Sequence, residues 1–133
     1  MDQELKSTRH AKYLLHAHLV FTPKYRKRVF KKEHLDLMKM VFIDICLKND
    51  AQLEEFNGEA DYVHLLISYP PRIALSEIVN VLKGVSSRYL RKEFKKEYWG
   101  NSALWSRSYF VGSVGGASLE ILEEYIKNQK APS

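Results

Sequence analysis

The residues best suited to chemistry in this chain are histidines in two short apolar segments. Segment 61–68 reads DYVHLLIS, in which apolar side chains alternate with others and His64 lies near the centre. His16 and His18 stand two residues apart in segment 12–21, so on a strand they share a face. Imidazole nitrogens bind divalent metals, although a histidine among apolar neighbours is more often a packing residue. Both segments are therefore candidates for a metal site.

A compact basic cluster follows the first of these segments. Pro23 ends the predicted strand, and a tyrosine lies among four cations in Lys24, Tyr25, Arg26, Lys27 and Arg28. Cations with an interleaved aromatic ring suit single-stranded nucleic acid, because the cations neutralise phosphates and the ring stacks on a base. The net charge of +5 agrees with a polyanionic partner. The alternative is a solvated basic surface.

Two further sets of polar side chains lie on predicted helices. The exposed side of the helix at 75–94 is basic, through Lys83, Arg88, Arg91 and Lys92. Near the end of the chain, Tyr125 and Gln129 are four residues apart, so they project from the same side of a helix. Taken alone, Tyr125 is a boundary residue with a packed ring and a wet hydroxyl.

Hydrophobic periodicity predicts the elements that must position these residues. Apolar residues recur at three- and four-residue steps in helices and alternate in strands. Asn57-Gly58 is a turn pair that suits a hairpin, and Ser76 is a candidate helix N-cap. The predicted order is strand 12–21, helix 32–48, strands 51–59 and 61–68, helix 75–94, strand 108–114 and helix 117–129. This order predicts an α+β fold with a ferredoxin-like (RRM-like) antiparallel sheet, helices on one face and an added C-terminal helix.

Length and composition bound the remaining properties. The 133 residues predict a single domain, with an ordered core at about 12–129, preceded by a frayed polar segment. No apolar run is long enough to cross a bilayer and the N-terminus lacks a signal-peptide core, which predicts a cytoplasmic protein without a membrane partner. The single cysteine, Cys46, falls on the apolar face of a helix, so we expect it in the core.

Six segments in register along the chain carry a family resemblance. They are FTPKYRKRVF at 21–30, DYVHLLISYPP at 61–71, LKGVSSR at 82–88, LWSRSYF at 104–110, SVGGA at 113–117 and YIKNQ at 125–129. Together the chain resembles the small single-domain transposases of the IS200/IS605 family, which are HUH (His-hydrophobic-His) nucleases. The resemblance implies a Y1 DNA transposase that recognises hairpins in single-stranded DNA and cleaves and rejoins single strands. It also implies a homodimer whose active sites are completed in trans.

The resemblance also assigns roles to individual residues. Tyr125 matches the nucleophile that forms a 5′-phosphotyrosine, and His64 and Gln129 match ligands of Mg²⁺ or Mn²⁺. The first histidine of the HUH pair is absent, because Tyr62 occupies its position. A neutral phenol is a poor ligand for these ions. Three explanations stay open, namely an inactive copy that only binds DNA, an isolated substitution, or a replacement ligand from His16 or His18. Of these two, His18 already matches a histidine in the family's first strand, so only His16 is unexplained by the resemblance.

Overall fold

The protein has a four-stranded sheet, and two helices connect its strands along the chain. The computed structural model describes residues 6–7, 12–13, 15–95, 103–113 and 125–128. In chain order the elements are β1 (Lys6–Ser7), β2 (Lys12–Tyr13), β3 (His16–Phe21), a 3-10 turn (Lys24–Arg26), α1 (Lys32–Lys48), β4 (Gln52–Glu59), β5 (Tyr62–Ser68), α2 (Leu75–Glu93) and β6 (Phe110–Ser113).

Strands β3 and β5 occupy the centre of the sheet. The strand order is β4-β5-β3-β6, and each neighbouring pair is antiparallel. With one helix after the first strand and one after the third, this is the ferredoxin-like arrangement, so the predicted fold class is confirmed. The β3–β5 register runs from His16 opposite Ser68 to Phe21 opposite Val63.

One face of the sheet packs against the helices and forms the core. The alternate residues Leu19, Phe21, Val63, Leu65 and Ile67 are each 0% exposed. From the helices, Met38, Phe42, Val79, Leu82 and Leu90 close over them. Fully burying one such side chain contributes about 1.5–3 kcal/mol, so the alternation fixes which face is the core.

Cys46 lies in this core, as the sequence predicts. It is 0% exposed, and burial raises the pKa of its thiol to about 12. The thiol is therefore neutral at physiological pH and unreactive.

Three local predictions are wrong. Asn57 and Gly58 lie inside β4, and the turn to β5 falls at residues 60–61, so the turn pair does not form the hairpin. Ser76 lies within α2, whose N-cap is Ala74 and has no side-chain cap. Lys6–Ser7 pairs with Lys12–Tyr13 in a small antiparallel ladder, where the sequence predicts a frayed segment and one longer strand.

The added C-terminal helix falls largely outside the described residues. Of the predicted helix 117–129, residues 125–128 are described and are helical. Gln129 lies outside them. Within the part of the chain that the structure describes, no helix is long and apolar enough to span a bilayer.

Gly58 and Gly84 provide a test of this packing. A Cβ at Gly58 would lie 2.5 Å from Leu35 Cδ2, so we expect Gly58→Ala to lower the free energy of unfolding by about 1 kcal/mol through overpacking. At Gly84, in α2, the nearest atom to such a Cβ is Arg88 Nη1 at 3.8 Å. Gly84→Ala should raise the free energy of unfolding by about 0.5–1 kcal/mol, because alanine favours the helix.

Urea unfolding of Gly58→Ala and Gly84→Ala measures the two changes in the free energy of unfolding. The cost of Gly58→Ala is also measured in a Leu35→Ala background. Leu35→Ala removes the clashing atoms, so the cost of Gly58→Ala should vanish in that background. Equal costs in the two backgrounds would show that Leu35 does not restrict Gly58.

Candidate active site

The face of the sheet opposite the helices carries the histidines of the central strands. Residues paired across antiparallel strands share a face, and Val20 pairs with both His64 and Phe110. His18, two residues before Val20, projects from the same face and pairs with Leu66. This face therefore collects side chains from three strands around His64.

His18 and His64 contact each other directly across the central strands. His18 Nδ1 and His64 Nε2 are 2.9 Å apart, a hydrogen-bond distance in which the tautomers decide which nitrogen donates. The ring centroids are 5.1 Å apart and the ring planes differ by 14°. Because that centroid distance is close to the N···N distance plus the two ring radii, the rings meet edge to edge in nearly one plane.

The environment favours the neutral form of His64. Burial, followed by the neighbouring His18, lowers its pKa, and Glu55 offsets part of the decrease. A neutral imidazole keeps one nitrogen lone pair available to a proton or a metal.

Tyr62 and His16 lie on the same face, on either side of the imidazole pair. Tyr62 is half-buried and pairs with Glu59 at the start of β5. His16 is buried and pairs with Ser68, so it lies beyond His18 from His64. Of the two histidines that the sequence leaves open as replacement ligands, the structure brings His18 to His64. Among the described residues, no group of three His, Cys, Asp or Glu side chains converges as a metal site.

Tyr125 packs on this face at its β6 side. Its ring contacts the Phe110 ring, with centroids 5.4 Å apart. The hydroxyl is buried and makes no hydrogen bond of good geometry within the described residues. Burial raises the pKa of the phenol, and the side chain of Ser108 offsets part of that increase. The phenol is therefore protonated at neutral pH.

Arg26 connects the basic turn (residues 24–28) to Asp61, just before β5, and to the helical residues 125–128, which we call the tyrosine helix. Its Nε donates to Asp61 Oδ2 at 2.8 Å, and its Nη1 donates to the carbonyl oxygen of Ile126 at 2.6 Å. Asp61 is 6% exposed and immediately precedes Tyr62. The Arg26 guanidinium thus connects the strand that bears His64 to the segment that bears Tyr125. From the sequence, Asp61 and the basic cluster are visible, but their contact is not.

The turn that carries Arg26 has an uncommon backbone. Tyr25 and Arg26 have φ values of 61° and 50°, in the left-handed region that costs non-glycine residues about 1 kcal/mol each. Tyr25 is 46% exposed, and Lys24 Nζ lies 5.5 Å from the centroid of its ring. Lys27 is exposed, and the Arg28 side chain is 73% exposed and 3.8 Å from Asp61. Cations and an aromatic ring therefore border the site.

The sequence predicts that Lys83 belongs to an exposed basic surface, but its ammonium is turned towards the chain. Its ammonium donates to the Ser106 carbonyl at 2.6 Å and also contacts the Arg107 carbonyl. It lies 5.9 Å from the Phe21 ring centroid and 5.6 Å from that of Tyr109. Burial lowers the pKa of Lys83. Its bonds to the two carbonyls anchor the segment before β6. Arg88, in contrast, is exposed.

The amino-acid sequence is similar to those of known transposases. The family model described as "Transposase IS200 like" matches residues 11–129. The transposase of insertion sequence element IS200 from Salmonella typhimurium is 32% identical over 126 residues, which are 93% of this chain and 82% of that protein. The ISDra2 transposase TnpA from Deinococcus radiodurans is 33% identical over 129 residues, covering 95% of this chain and 91% of the relative.

Two solved structures resemble the fold. A crystal structure of a putative transposase from Deinococcus radiodurans R1 matches with a TM-score of 0.84 and 32% identity, covering 96% of this chain and all of that one. A REP-associated tyrosine transposase bound to a REP hairpin matches with a TM-score of 0.58 and 8% identity, covering 91% of this chain and 68% of the other. At that identity the second match concerns the fold alone.

The bridging role of Arg26 can be measured as stability. We expect Arg26→Met to lower the free energy of unfolding by about 2 kcal/mol, because it removes charge-assisted hydrogen bonds to a buried carboxylate and to the tyrosine helix. Arg28→Met, which removes an exposed cation next to the same carboxylate, should change it by less than about 0.5 kcal/mol.

Urea unfolding measures both variants, and an Asp61→Asn background isolates the ion pair. In that background the cost of Arg26→Met should fall. A loss no greater than that of Arg28→Met would contradict the bridging role.

Proposed function

Because the chain belongs to the IS200-like transposase family, we propose that it cleaves and rejoins single-stranded DNA at hairpins through a covalent phosphotyrosine. The observation that carries this proposal is the position of Tyr125. Its ring contacts Phe110 of β6, and Val20 of β3 pairs with both Phe110 and His64. These paired strands connect the family's tyrosine to its histidine strand on the face of the sheet opposite the helices.

In the proposed reaction, the Tyr125 oxygen attacks a DNA phosphorus. The oxygen–phosphorus bond forms as the bond to the 3′ oxygen breaks, which gives a 5′-phosphotyrosine and a free 3′-hydroxyl. The phenol loses one proton and the departing 3′ oxygen gains one, so the step is balanced in protons. The intermediate retains a phosphodiester bond, so a 3′-hydroxyl can reverse the step without ATP. The raised pKa of Tyr125 means that the resting phenol is a weak nucleophile that requires activation.

The residues on this face fit a divalent metal such as Mg²⁺ or Mn²⁺ in their chemistry. His64 supplies a neutral imidazole, and His18 places a second ring nitrogen 2.9 Å from it. Gln129, a proposed amide ligand, lies outside the described residues, and Tyr62 is a weak donor beside them. Bound by these residues, a divalent ion would supply Lewis-acid polarisation of the phosphate and charge stabilisation of the departing oxygen.

The basic turn supplies the DNA contacts in this proposal. Lys24, Lys27 and Arg28 border the site, and the exposed Tyr25 ring offers a face for stacking a base. Arg88 extends the cationic surface. The proposal includes a homodimer. Because Tyr125 packs on the sheet of its own chain here, completing the partner's site would require the two chains to exchange their C-terminal helical segments.

A second function follows from Tyr62. With a phenol where the family pattern has an imidazole, the chain would bind hairpin DNA without cleaving it if no other residue replaced that ligand. The two functions differ in whether a covalent protein–DNA adduct forms.

Incubation with a single-stranded hairpin oligonucleotide and Mn²⁺ separates them. We expect a covalent adduct, resolved by denaturing electrophoresis, that Tyr125→Phe and EDTA both abolish. Tyr109→Phe is the matched control, because that phenol contacts Phe21 on the helix side of the sheet and should leave adduct formation unchanged.

An adduct that persists in Tyr125→Phe would reject this nucleophile. If neither the wild-type chain nor Tyr62→His forms an adduct, the cleavage proposal fails. If Tyr62→His alone forms it while wild type binds the hairpin, the chain is a DNA-binding member of the family.

The basic turn has its own test in the salt dependence of hairpin binding. Replacing Lys27 and Arg28 by glutamine should weaken affinity and reduce the slope of log K against log salt by about 1.4, since each lost phosphate contact on a single strand removes about 0.7. Lys48→Gln, which removes an exposed cation of α1, should leave the slope unchanged. Lys83→Gln should also preserve the slope but lower stability, because its ammonium is bonded to the chain.

Fluorescence anisotropy over a salt series measures these slopes. If Lys48→Gln reduced the salt slope as much as the double replacement of Lys27 and Arg28, the charge effect would be diffuse. That result would contradict a DNA-binding turn.

A further inference from the structure

We propose that His18 and His64 together hold the divalent ion, with His18 supplying across the sheet the imidazole that is missing at Tyr62. The proposal rests on the proposed function, because it concerns the metal of the same site. It replaces a pair of ligands on one strand by a pair on two neighbouring strands.

The distance between the two nitrogens is the first argument. Two nitrogens bound to one ion at about 2.1 Å each, at a right angle, lie about 3 Å apart. His18 Nδ1 and His64 Nε2 are 2.9 Å apart. The two rings meet edge to edge in nearly one plane, so the rings must turn about their side-chain bonds to direct both lone pairs at one ion beside the N···N line. An ion bound in this way excludes a proton shared between the two nitrogens.

The support beneath the two rings is the second argument. His18 lies in β3, which pairs on one side with β5 and on the other with β6, so hydrogen-bonded strands flank it. Its partner in β6 is Gly112, which adds no side chain to this face. His64 lies between β3 and β4. Ligands on central, fully paired strands are held more rigidly than ligands on loops, which reduces the cost of binding an ion.

The neighbouring candidates are less suitable. His16 is in the same strand and on the same face, but it pairs with Ser68 at the far end of the register. Tyr62 shares the face with His64, yet a neutral phenol binds Mg²⁺ or Mn²⁺ poorly. The half-buried His64 instead has a second imidazole, that of His18, within contact distance.

The test uses Mn²⁺ with the full chain and does not depend on catalysis. Calorimetric titration gives the dissociation constant, and electron spin echo modulation from ¹⁴N counts the imidazoles on the ion. For the wild type we expect two imidazoles. His18→Phe should reduce the count to one and weaken Mn²⁺ binding roughly tenfold or more, by analogy with the loss of ligand support in other sites. His16→Phe, the matched control, should retain both values within about twofold.

A rescue variant guards against misfolding. In the His18→Phe background, Tyr62→His restores an imidazole on the strand of His64 and should restore both the count of two and the affinity. If His18→Phe binds Mn²⁺ as tightly as the wild type, or if the wild type shows fewer than two imidazoles, the proposal is overturned.

The adduct assay separates this inference from the proposed function. Adduct formation by a protein whose Mn²⁺ affinity does not depend on His18 would leave the function standing and reject the ligand. Mn²⁺ bound by both histidines without any adduct would support the ligand and reject the cleavage activity.

Discussion

The antiparallel register between the two central strands is the constraint on which the site depends. That register places Phe21 opposite Val63 and Val20 opposite His64, so the core residues of each strand face the helices and the histidines lie on the other face. A shift of one residue would turn the imidazoles to the helices and the core residues to the other face. The hydrophobic effect that forms the core therefore also fixes the position of the candidate metal ligands.

The same register explains why two imidazoles meet although they are distant in the chain. His18 and His64 are separated by 46 residues, and they are diagonal neighbours across one strand pair. Diagonal positions in an antiparallel pair are within reach of long side chains. Nothing in the spacing along either strand specifies this contact, because it arises only when the strands pair.

Charge organises the edge of the site differently. Arg26 lies in a cluster of cations, but its guanidinium folds inward to Asp61 and the Ile126 carbonyl, while Lys27 and Arg28 face solvent. Lys83 likewise turns to backbone carbonyls. A desolvated cation is stable only with such partners. The basic residues therefore divide into those that hold the site together and those that are available to a polyanion.

Much of the fold could be predicted from the sequence, because periodicity reflects local geometry. Helix α1 has the predicted bounds, and Cys46 lies in the core. Turn and cap predictions were weaker. Asn57-Gly58 is a good turn pair, yet it continues β4, where the absence of a side chain at Gly58 leaves room for Leu35 of α1. Tertiary packing overrode the local preference.

For the site, the sequence by itself determined the residue types and their faces. His64 and Tyr62 on one side of a strand, and His18 on one side of another, follow from a period of two residues. The six motifs also indicated the family. Only the tertiary structure decided that His18 rather than His16 lies against His64, and that Arg26 is bonded to the tyrosine helix. Such contacts join residues far apart in the chain, and strand register and burial, which are properties of the whole fold, select them.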